Sequence, residues 1–116
     1  MIIKVLKSKI HRATVTEANL DYIGSISVDK ALLSAAKLQE HEKVHVLNIT
    51  NGSRLETYVI SSPADSGEIC INGAAAHLVS PKDKVIIVSY CSLESNIAKM
   101  HAPNIVHVDD NNKIIN

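Results

Sequence analysis

The dipeptide Gly24-Ser25 is the part of the sequence best suited to covalent chemistry. Glycine has no Cβ, so its carbonyl can be approached closely and held in a strained conformation. Attack of the Ser25 hydroxyl on the Gly24 carbonyl carbon would move the acyl group from nitrogen to oxygen. β-Elimination of that ester would free a chain ending at Gly24, and the dehydroalanine left behind would hydrolyse to a pyruvoyl group. The dipeptide alone favours a plainer interpretation, a tight turn between two strands.

Arg54, Thr57 and Tyr58 form a second group of candidate residues. On a strand, Arg54 and Tyr58 would share one face and Thr57 would take the other, unless a bulge re-aims one of them. The planar fork of arginine suits a carboxylate. A tyrosine hydroxyl, with a reference pKa of about 10, stays protonated at neutral pH and can donate a proton. An exposed arginine beside two good strand formers would explain the same residues without any function.

Two further segments carry polar groups that could serve a site. Lys9 and His11 would share a face of a strand, and His11 could be a proton carrier or a solvated surface residue. From Asn72 to His77, small residues follow a glycine, and their backbone N–H groups could bind an anion or a polar ligand. A turn that opens a short helix is the plainer interpretation of this second segment.

The composition excludes several classes of protein. Twelve basic and twelve acidic residues cancel, and Phe and Trp are absent, so neither a nucleic-acid partner nor an anionic membrane surface is expected. The six histidines are scattered and the two cysteines form no CxxC pair, so no metal site is expected either. Lysines interrupt the N-terminal apolar stretch, and no apolar run is long enough to span a membrane, so a cytoplasmic location is expected.

A single domain, residues 1–116, must position these segments. Its apolar residues, 46% of the chain, include only three aromatics, so the core is built from Ile, Val, Leu and Ala, which favours strands. Together with the Asn51-Gly52 turn, the pattern predicts a small closed β-barrel. The predicted strands are 2–18 (bent near 9–11), 43–50, 54–61, 68–71, 84–91 and 105–109, and the predicted helical segments are 30–38, 74–76 and 92–100.

Taken together, five stretches resemble the aspartate 1-decarboxylase family, the small pyruvoyl enzymes that make β-alanine for pantothenate. They occur in the family's order and spacing over nearly the whole chain, which makes the resemblance specific. The stretches are 9–12, 14–26 (TVTEANLDYIGSI), 51–60 (NGSRLETYVI), 71–79 (INGAAAHLV) and 83–88.

The resemblance implies a fold, an assembly and a cofactor. The fold would be a six-stranded double-psi β-barrel with short flanking helices, and the assembly a homotetramer with sites between subunits. Cleavage between Gly24 and Ser25 would give chains 1–24 and 25–116. Ser25 would become a pyruvoyl group that forms a Schiff base with L-aspartate and acts as an electron sink, without pyridoxal phosphate or metal.

The resemblance also assigns roles to individual residues. Arg54, with Lys9 nearby, would hold a substrate carboxylate, and Tyr58 would return a proton to the decarboxylated carbon. Thr57 would contact the substrate and would assist cleavage by a hydrogen bond at the Gly24 carbonyl. The remaining implied residues are Asn72, Gly73, Ala74 and Ala75 as pocket lining and His11 and Tyr22 as supporting residues. Some family members have tryptophan at the position of Leu47, to which no role is carried over.

Two alternatives stay open at the level of sequence. One is a non-catalytic β-barrel that holds an anion with Arg54 and the turn at 72–76. The other is a cysteine-dependent enzyme that uses Cys70, although its apolar neighbours Ile69 and Ile71 indicate a buried and inert thiol.

Overall fold

Eight strands form one mixed sheet in the computed structural model of the chain, which describes residues 1–115. Two short α-helices and one 3₁₀ helix complete the fold. The strands are β1 (Ile2–Thr14), β2 (Glu17–Asn19), β3 (Ser25–Asp29), β4 (Lys43–Asn48), β5 (Arg54–Ser62), β6 (Ile69–Asn72), β7 (Lys84–Glu94) and β8 (Asn104–His107). The helices are α1 (Lys30–Ala36), the 3₁₀ helix (Gly73–Leu78) and α2 (Ser95–Ala98).

The strand order explains how the sheet closes on itself. The order is β2-β6-β3-β5-β4-β7-β1-β8, so β1 and β2 lie toward opposite ends although only residues 15 and 16 separate them along the chain. The Val15 N–H donates to the Asp83 carbonyl at 2.9 Å, and the Thr16 N–H donates to the Ile69 carbonyl at 2.8 Å. One continuous segment therefore joins both ends of the sheet. This small, mainly β domain confirms the predicted fold class and is consistent with a double-psi β-barrel whose six inner strands are flanked by the short β2 and β8.

The long first strand bends twice along its partner β7. Register shifts occur between Leu6 and Ser8 and between Ile10 and Ala13, and Arg12 adopts a positive φ of 64°. The second shift lies where the sequence predicts a bend. Such bulges increase the local twist, which lets one strand wrap around a small barrel.

The helix α1 is held against the barrel by an aspartate at its start. The Asp29 carboxylate accepts hydrogen bonds from the backbone N–H groups of Ala31, Asp65 and Gly67 at 2.8 to 3.0 Å. It therefore caps the helix, as the sequence predicts, and also fixes the loop that leads into β6. The apolar face of the helix, Leu32, Leu33 and Ala36, is buried in the core.

Some elements differ from the sequence prediction. The strand β3 has no counterpart among the predicted elements, the predicted strand 2–18 is divided into β1 and the start of β2, and α2 has four residues where a helix over 92–100 was predicted. The strand β7 continues to Glu94 and takes up the first part of that predicted helix, because its residues 92–94 pair with the start of β1. Among residues 1–115, no helix combines the length and the apolar character needed to cross a membrane.

The core beneath β6 yields a stability prediction. Ile71 is 0% exposed and lies opposite Ile26, so Ile71→Ala should leave a cavity and lower the free energy of unfolding by about 2–5 kcal/mol. Ile97→Ala, at a side chain that is 60% exposed, is the matched control and should have a much smaller effect. Urea denaturation of both variants measures the difference. Equal losses in the two variants would show that the barrel core does not lie behind β6.

Candidate active site

The antiparallel pair β3 and β6 has one apolar face and one polar face. Ile26 lies opposite Ile71, and both are fully buried in the core. Side chains alternate along a strand, so the residues on either side of these isoleucines point the other way. They pair as Ser25 with Asn72 and Ser27 with Cys70. We call these four residues the polar quartet: Ser25, Ser27, Cys70 and Asn72.

Ser25 is held at the first position of β3 by the carboxamide of Asn72. The Asn72 Nδ2 donates to the Ser25 Oγ at 2.9 Å and to the Ser27 Oγ at 3.0 Å. The Ser25 hydroxyl in turn donates to the Ile23 carbonyl in a long contact of 3.4 Å. Ser25 is only 1% exposed, whereas Gly24 before it is exposed. A buried hydroxyl with a fixed oxygen therefore follows directly on an accessible glycine.

Gly73 packs directly against the backbone of Gly24. Its φ is +78°, and a Cβ at this position would lie 2.7 Å from the Gly24 Cα and 2.9 Å from the Gly24 nitrogen. It would also lie 3.1 Å from the Tyr22 carbonyl oxygen. Only glycine allows both this φ and this approach. The turn from β6 into the 3₁₀ helix thus packs against the peptide that precedes Ser25.

The remaining residues of this turn follow from the same geometry. Asn72 is the N-cap residue of the 3₁₀ helix, but its side chain makes no capping hydrogen bond because it faces the two serines instead. Ala74 is exposed and Ala75 is half-buried just beyond Gly73, and Tyr22 is 53% exposed on the other side of Gly24. The structure therefore brings Tyr22, Gly24 and Ser25 together with the segment 72–75.

Thr57 and Tyr58 lie on the strand next to Ser25. The strands β3 and β5 are parallel, with Ile26 opposite Val59. Continuing this register backward places Ser25 level with Tyr58 and Gly24 level with Thr57. Leu55 and Val59 are buried, so the strand period puts Thr57 on their side of the sheet and Tyr58 on the other, as predicted.

The Tyr58 side chain is oriented by a ring contact. It stacks on the ring of His41 with centroids 6.1 Å apart and an interplanar angle of 22°. Its hydroxyl has no hydrogen-bond partner within the described part of the chain, residues 1–115. A half-buried phenol with a free hydroxyl can exchange a proton with a bound molecule.

Arg54 lines an open pocket on the outer face of the sheet. The pocket has a volume of about 390 Å³. Its only acid, Glu56, already pairs with Lys43 at 3.5 Å and with His45 at 3.1 Å. Arg54 takes part in no ion pair with any other residue of the described range, so its guanidinium is available for a carboxylate. The pocket is lined by Lys4, Lys43, His45, Arg54, Glu56 and Tyr90.

Lys9 points to the same outer face but lies far from Arg54 within one chain. The pairing runs from Lys9 to Val88, from Val88 to His45 and from His45 to Glu56. The strands β7 and β4 therefore lie between the two cations. With strands about 4.8 Å apart, the two residues are separated by on the order of 15 Å. The resemblance implies that Lys9 lies near Arg54, and a single chain does not bring them together.

His11 belongs to a cluster of cationic residues beside β8. Its ring meets the ring of His107 edge-on, with centroids 5.4 Å apart. Partial burial lowers the pKa of His11, and the positive charges of Lys9, His107 and Arg12 lower it further. The imidazole is thus biased toward its neutral form.

Residues 41–45, His-Glu-Lys-Val-His, have the spacing of a zinc-binding pattern, so the prediction that the six histidines are scattered without such a spacing was wrong. That pattern needs a helix, which brings both histidines to one face. Here β4 begins at Lys43, so the two histidines are not on a helix. The His41 ring stacks on Tyr58, and the His45 ring contacts Tyr90, so the two do not form a shared ligand pair.

A second group of potential metal ligands surrounds Cys70 and disfavours its thiolate form. Side-chain atoms of Glu17, Glu68 and Cys70 lie within 4.8 Å of one another. Burial, followed by the negative charges of Glu17 and Glu68, raises the pKa of Cys70 to about 11. The thiol is therefore protonated at neutral pH, which disfavours the cysteine-dependent enzyme.

One part of this site was not predicted from the sequence. Ser27 was given no role and Cys70 was considered only as a candidate nucleophile or an inert thiol, yet both contact Asn72. The alternation of serines at 25 and 27 with Ile26 and Val28 was the available signal, because it marks a strand with one polar face.

A comparison with known proteins identifies the family of the chain. The sequence model described as aspartate decarboxylase matches residues 1–115. The chain belongs to the aspartate decarboxylase family.

Relatives in the aspartate decarboxylase family match over nearly their full length. The chain is 63% identical to the aspartate 1-decarboxylase of Caldicellulosiruptor saccharolyticus, covering 99% of this chain and 90% of the relative. It is 58% identical to that of Corynebacterium efficiens, covering 99% and 85%, and 57% identical to that of Acetivibrio thermocellus, covering 100% and 92%. The chain therefore spans 85% to 92% of the length of these three relatives.

The environment of His11 gives a prediction about its titration. NMR titration should place its pKa below the usual histidine value, because burial and nearby cations disfavour the imidazolium. Lys9→Gln removes one positive charge and should raise the pKa only part of the way, since burial is the larger cause. Lys99→Gln, at an exposed lysine that does not act on His11, should leave the pKa unchanged. A normal pKa in the unmodified protein would contradict this electrostatic environment.

Proposed function

We propose that the chain converts L-aspartate to β-alanine and carbon dioxide, a step of pantothenate biosynthesis, with a pyruvoyl group that it makes from its own Ser25. The observation that carries the proposal is the buried Ser25 hydroxyl, held by Asn72 at 2.9 Å next to the exposed Gly24. The family membership supplies the reaction class. We also propose a cytoplasmic location, which suits a metabolic enzyme.

The first reaction is cleavage of the chain by its own serine. The Ser25 Oγ forms a bond to the Gly24 carbonyl carbon and gives up its proton, and the peptide C–N bond breaks to leave an ester and a free amine at residue 25. Loss of the Cα hydrogen of residue 25 then breaks its Cβ–Oγ bond and releases the carboxylate of Gly24. Water replaces the nitrogen of the resulting dehydroalanine, ammonia leaves, and a ketone remains. Chains 1–24 and 25–116 are the products.

The neighbours of the scissile peptide suit this reaction. Gly73 backs the Gly24 backbone, and the continued β3–β5 register sets Thr57 level with Gly24. We assign the Thr57 hydroxyl to donate to the Gly24 carbonyl oxygen as negative charge develops there. The amide of Asn72 holds the attacking oxygen in place.

The pyruvoyl group supplies an electron sink for loss of the α-carboxylate once it has formed. The residues around Ser25 fit such a group, because departure of the Ser25 Oγ with Gly24 would leave the Asn72 Nδ2, which now donates to that oxygen, as a donor available to a carbonyl at this position. Asn72, Gly73, Ala74 and Ala75 line the pocket, and Tyr22 supports it. We assign His11 a supporting role from another subunit, because within one chain it lies beside β8. Tyr58, level with Ser25 and with a free hydroxyl, returns a proton to the substrate carbon.

Arg54 and Lys9, two cations on the outer face of the sheet, recognise aspartate. Arg54, free of ion pairs within residues 1–115, binds a substrate carboxylate through its planar fork. Lys9 assists from a different strand, which a single chain holds too far away. We therefore propose a homotetramer in which the site lies between subunits, so that Lys9 and Arg54 of different chains converge.

A second candidate function is a non-catalytic anion-binding barrel, favoured by the cationic pocket around Arg54. The two functions make opposite claims about Ser25. An anion-binding module needs neither cleavage nor this serine, whereas the decarboxylase needs both.

Intact-mass measurement on aged, purified protein tests the proposal. Two chains, 1–24 and 25–116, are expected, and the larger should have a blocked N-terminus that reacts with a hydrazine. The same sample should release carbon dioxide from L-aspartate. Ser25→Ala is the control and should stay whole and inactive. A whole wild-type chain with unaltered serine and no carbon dioxide release would overturn the decarboxylase and favour the anion-binding module.

Replacement of Gly73 should slow cleavage because of its contact with Gly24. Gly73→Ala places a methyl group 2.7 Å from the Gly24 Cα, so the peptide must move away from the Ser25 hydroxyl. Gly52→Ala is the matched control, since its φ of +79° gives the same strain of roughly 1–2 kcal/mol with no atom within 4 Å. The first-order rate of cleavage by intact mass should fall in Gly73→Ala by a factor well above that in Gly52→Ala. Equal rates would mean that the contact between Gly73 and Gly24 does not position the peptide.

Loss of the Tyr58 hydroxyl should separate cleavage from turnover. Tyr58→Phe keeps the ring that stacks on His41 but removes the proton donor. Cleavage should proceed at the wild-type rate, while the turnover number should fall by about 10²–10⁴-fold, the usual contribution of a positioned proton donor. Carbon dioxide and β-alanine assays on fully cleaved protein measure this. Normal turnover would assign the proton donor to another group.

A further inference from the structure

We propose that Cys70 is a positioning residue for self-cleavage, whose thiol fixes the Asn72 carboxamide so that its nitrogen faces the Ser25 hydroxyl. This inference rests on the proposed function, since it concerns the cleavage step. It gives a role to a buried thiol that the decarboxylation reaction itself does not use.

The polar quartet forms a short chain of hydrogen bonds. The Cys70 Sγ donates to the Asn72 Oδ1 at 3.1 Å, and the Asn72 Nδ2 donates to the Ser25 Oγ at 2.9 Å. The second Nδ2 hydrogen goes to the Ser27 Oγ at 3.0 Å. The thiol therefore holds one end of the carboxamide, and the two hydroxyls hold the other.

Three of the residues linked by these hydrogen bonds, including Asn72 and Ser25, are buried. Cys70 is 4% exposed, Asn72 is 3% exposed and Ser25 is 1% exposed. Water therefore has little access to the Asn72 carboxamide and cannot readily replace a lost hydrogen-bond partner. A buried amide oxygen without a partner is unfavourable. The direction of the carboxamide depends on the groups around it.

The surroundings keep the thiol in its donor form. Glu17 pairs with Cys70 across β2 and β6, and Glu68 lies close by. Their negative charges and the burial of the thiol both disfavour the thiolate. A protonated thiol can donate its hydrogen to the Asn72 Oδ1, as it does here, whereas a thiolate could only accept and would favour the Nδ2 end on its side.

The direction of the Asn72 carboxamide decides whether the Ser25 Oγ faces a hydrogen-bond donor or an acceptor. With Nδ2 toward Ser25, an N–H group donates to Oγ, which stabilises negative charge on that oxygen as its proton leaves. The same N–H group stabilises the oxygen when it later departs in the Gly24 carboxylate. With the carboxamide reversed, Oδ1 would accept a hydrogen bond from the Ser25 hydroxyl and would give no such stabilisation.

Cleavage rates of thiol variants test the role. Cys70→Ala removes the donor and should slow the first-order cleavage rate by about fivefold, as expected for the loss of one hydrogen bond of about 1 kcal/mol. Cys70→Ser restores an O–H donor of similar size and should stay within about threefold of wild type. Cys91→Ala, at the other free cysteine, is the matched control and should cleave at the wild-type rate.

The hydrogen bond itself can be observed without cleavage. In uncleaved Ser25→Ala protein that also carries Cys91→Ala, Cys70 is the only thiol, and its S–H stretching band falls in an infrared region free of other protein bands. Replacement of Asn72 by Leu should move this band to higher frequency, because the acceptor is lost. A band that does not move would overturn the proposed contact, even if a variant fails to fold well enough for rate measurements.

The outcomes separate this inference from the proposed function. If wild type cleaves and Cys70→Ala cleaves equally fast, Cys70 has no positioning role and the decarboxylase stands. If Cys70→Ala and Cys70→Ser are slowed alike, with equal thermal unfolding midpoints, the thiol acts through its volume and the inference fails. If wild type never cleaves, the proposed function and the inference fail together.

Discussion

The hydrogen bond between Asn72 and Ser25 depends on the register of one strand pair. The register of β3 and β6 is fixed by Ile26 opposite Ile71 and by Val28 opposite Ile69, all fully buried. A slip by one residue would turn these side chains outward and turn the serines into the core. The hydrophobic core therefore sets the position of the Ser25 hydroxyl, although none of its side chains takes part in the proposed cleavage.

Local patterns in the sequence predict those parts of the structure that local forces decide. The cap at Asp29, the hairpin over Asn51-Gly52 and the opposite faces of Thr57 and Tyr58 all follow from residue type and strand period. The contact between Gly24 and Gly73 could not be predicted in this way, because it depends on strand pairing between segments far apart in sequence. The family resemblance names these residues together, but only the fold gives the physical reason that residue 73 is glycine.

The candidate site has two parts that depend on different levels of structure. The part that surrounds Ser25 is assembled within one chain, since Asn72, Gly73 and Thr57 come from strands or turns adjacent to it. The part proposed to bind a carboxylate is not, because β7 and β4 separate Lys9 from Arg54. Cleavage would then need only the folded chain, whereas recognition of aspartate would need the proposed assembly. A monomer could mature without being able to bind its substrate fully.

The environment of Cys70 shows how one physical cause can exclude a function and permit another. Burial and two nearby carboxylates hold the thiol protonated, which removes it as a nucleophile at neutral pH. The same protonation makes it a hydrogen-bond donor, and its position opposite Ser27 directs it at Asn72. A serine in the same place would also be a donor, whereas an aliphatic residue would leave the Asn72 oxygen without that partner. The proposed role therefore calls for a small donor at position 70, and the reactivity that cysteine usually brings is suppressed by its surroundings.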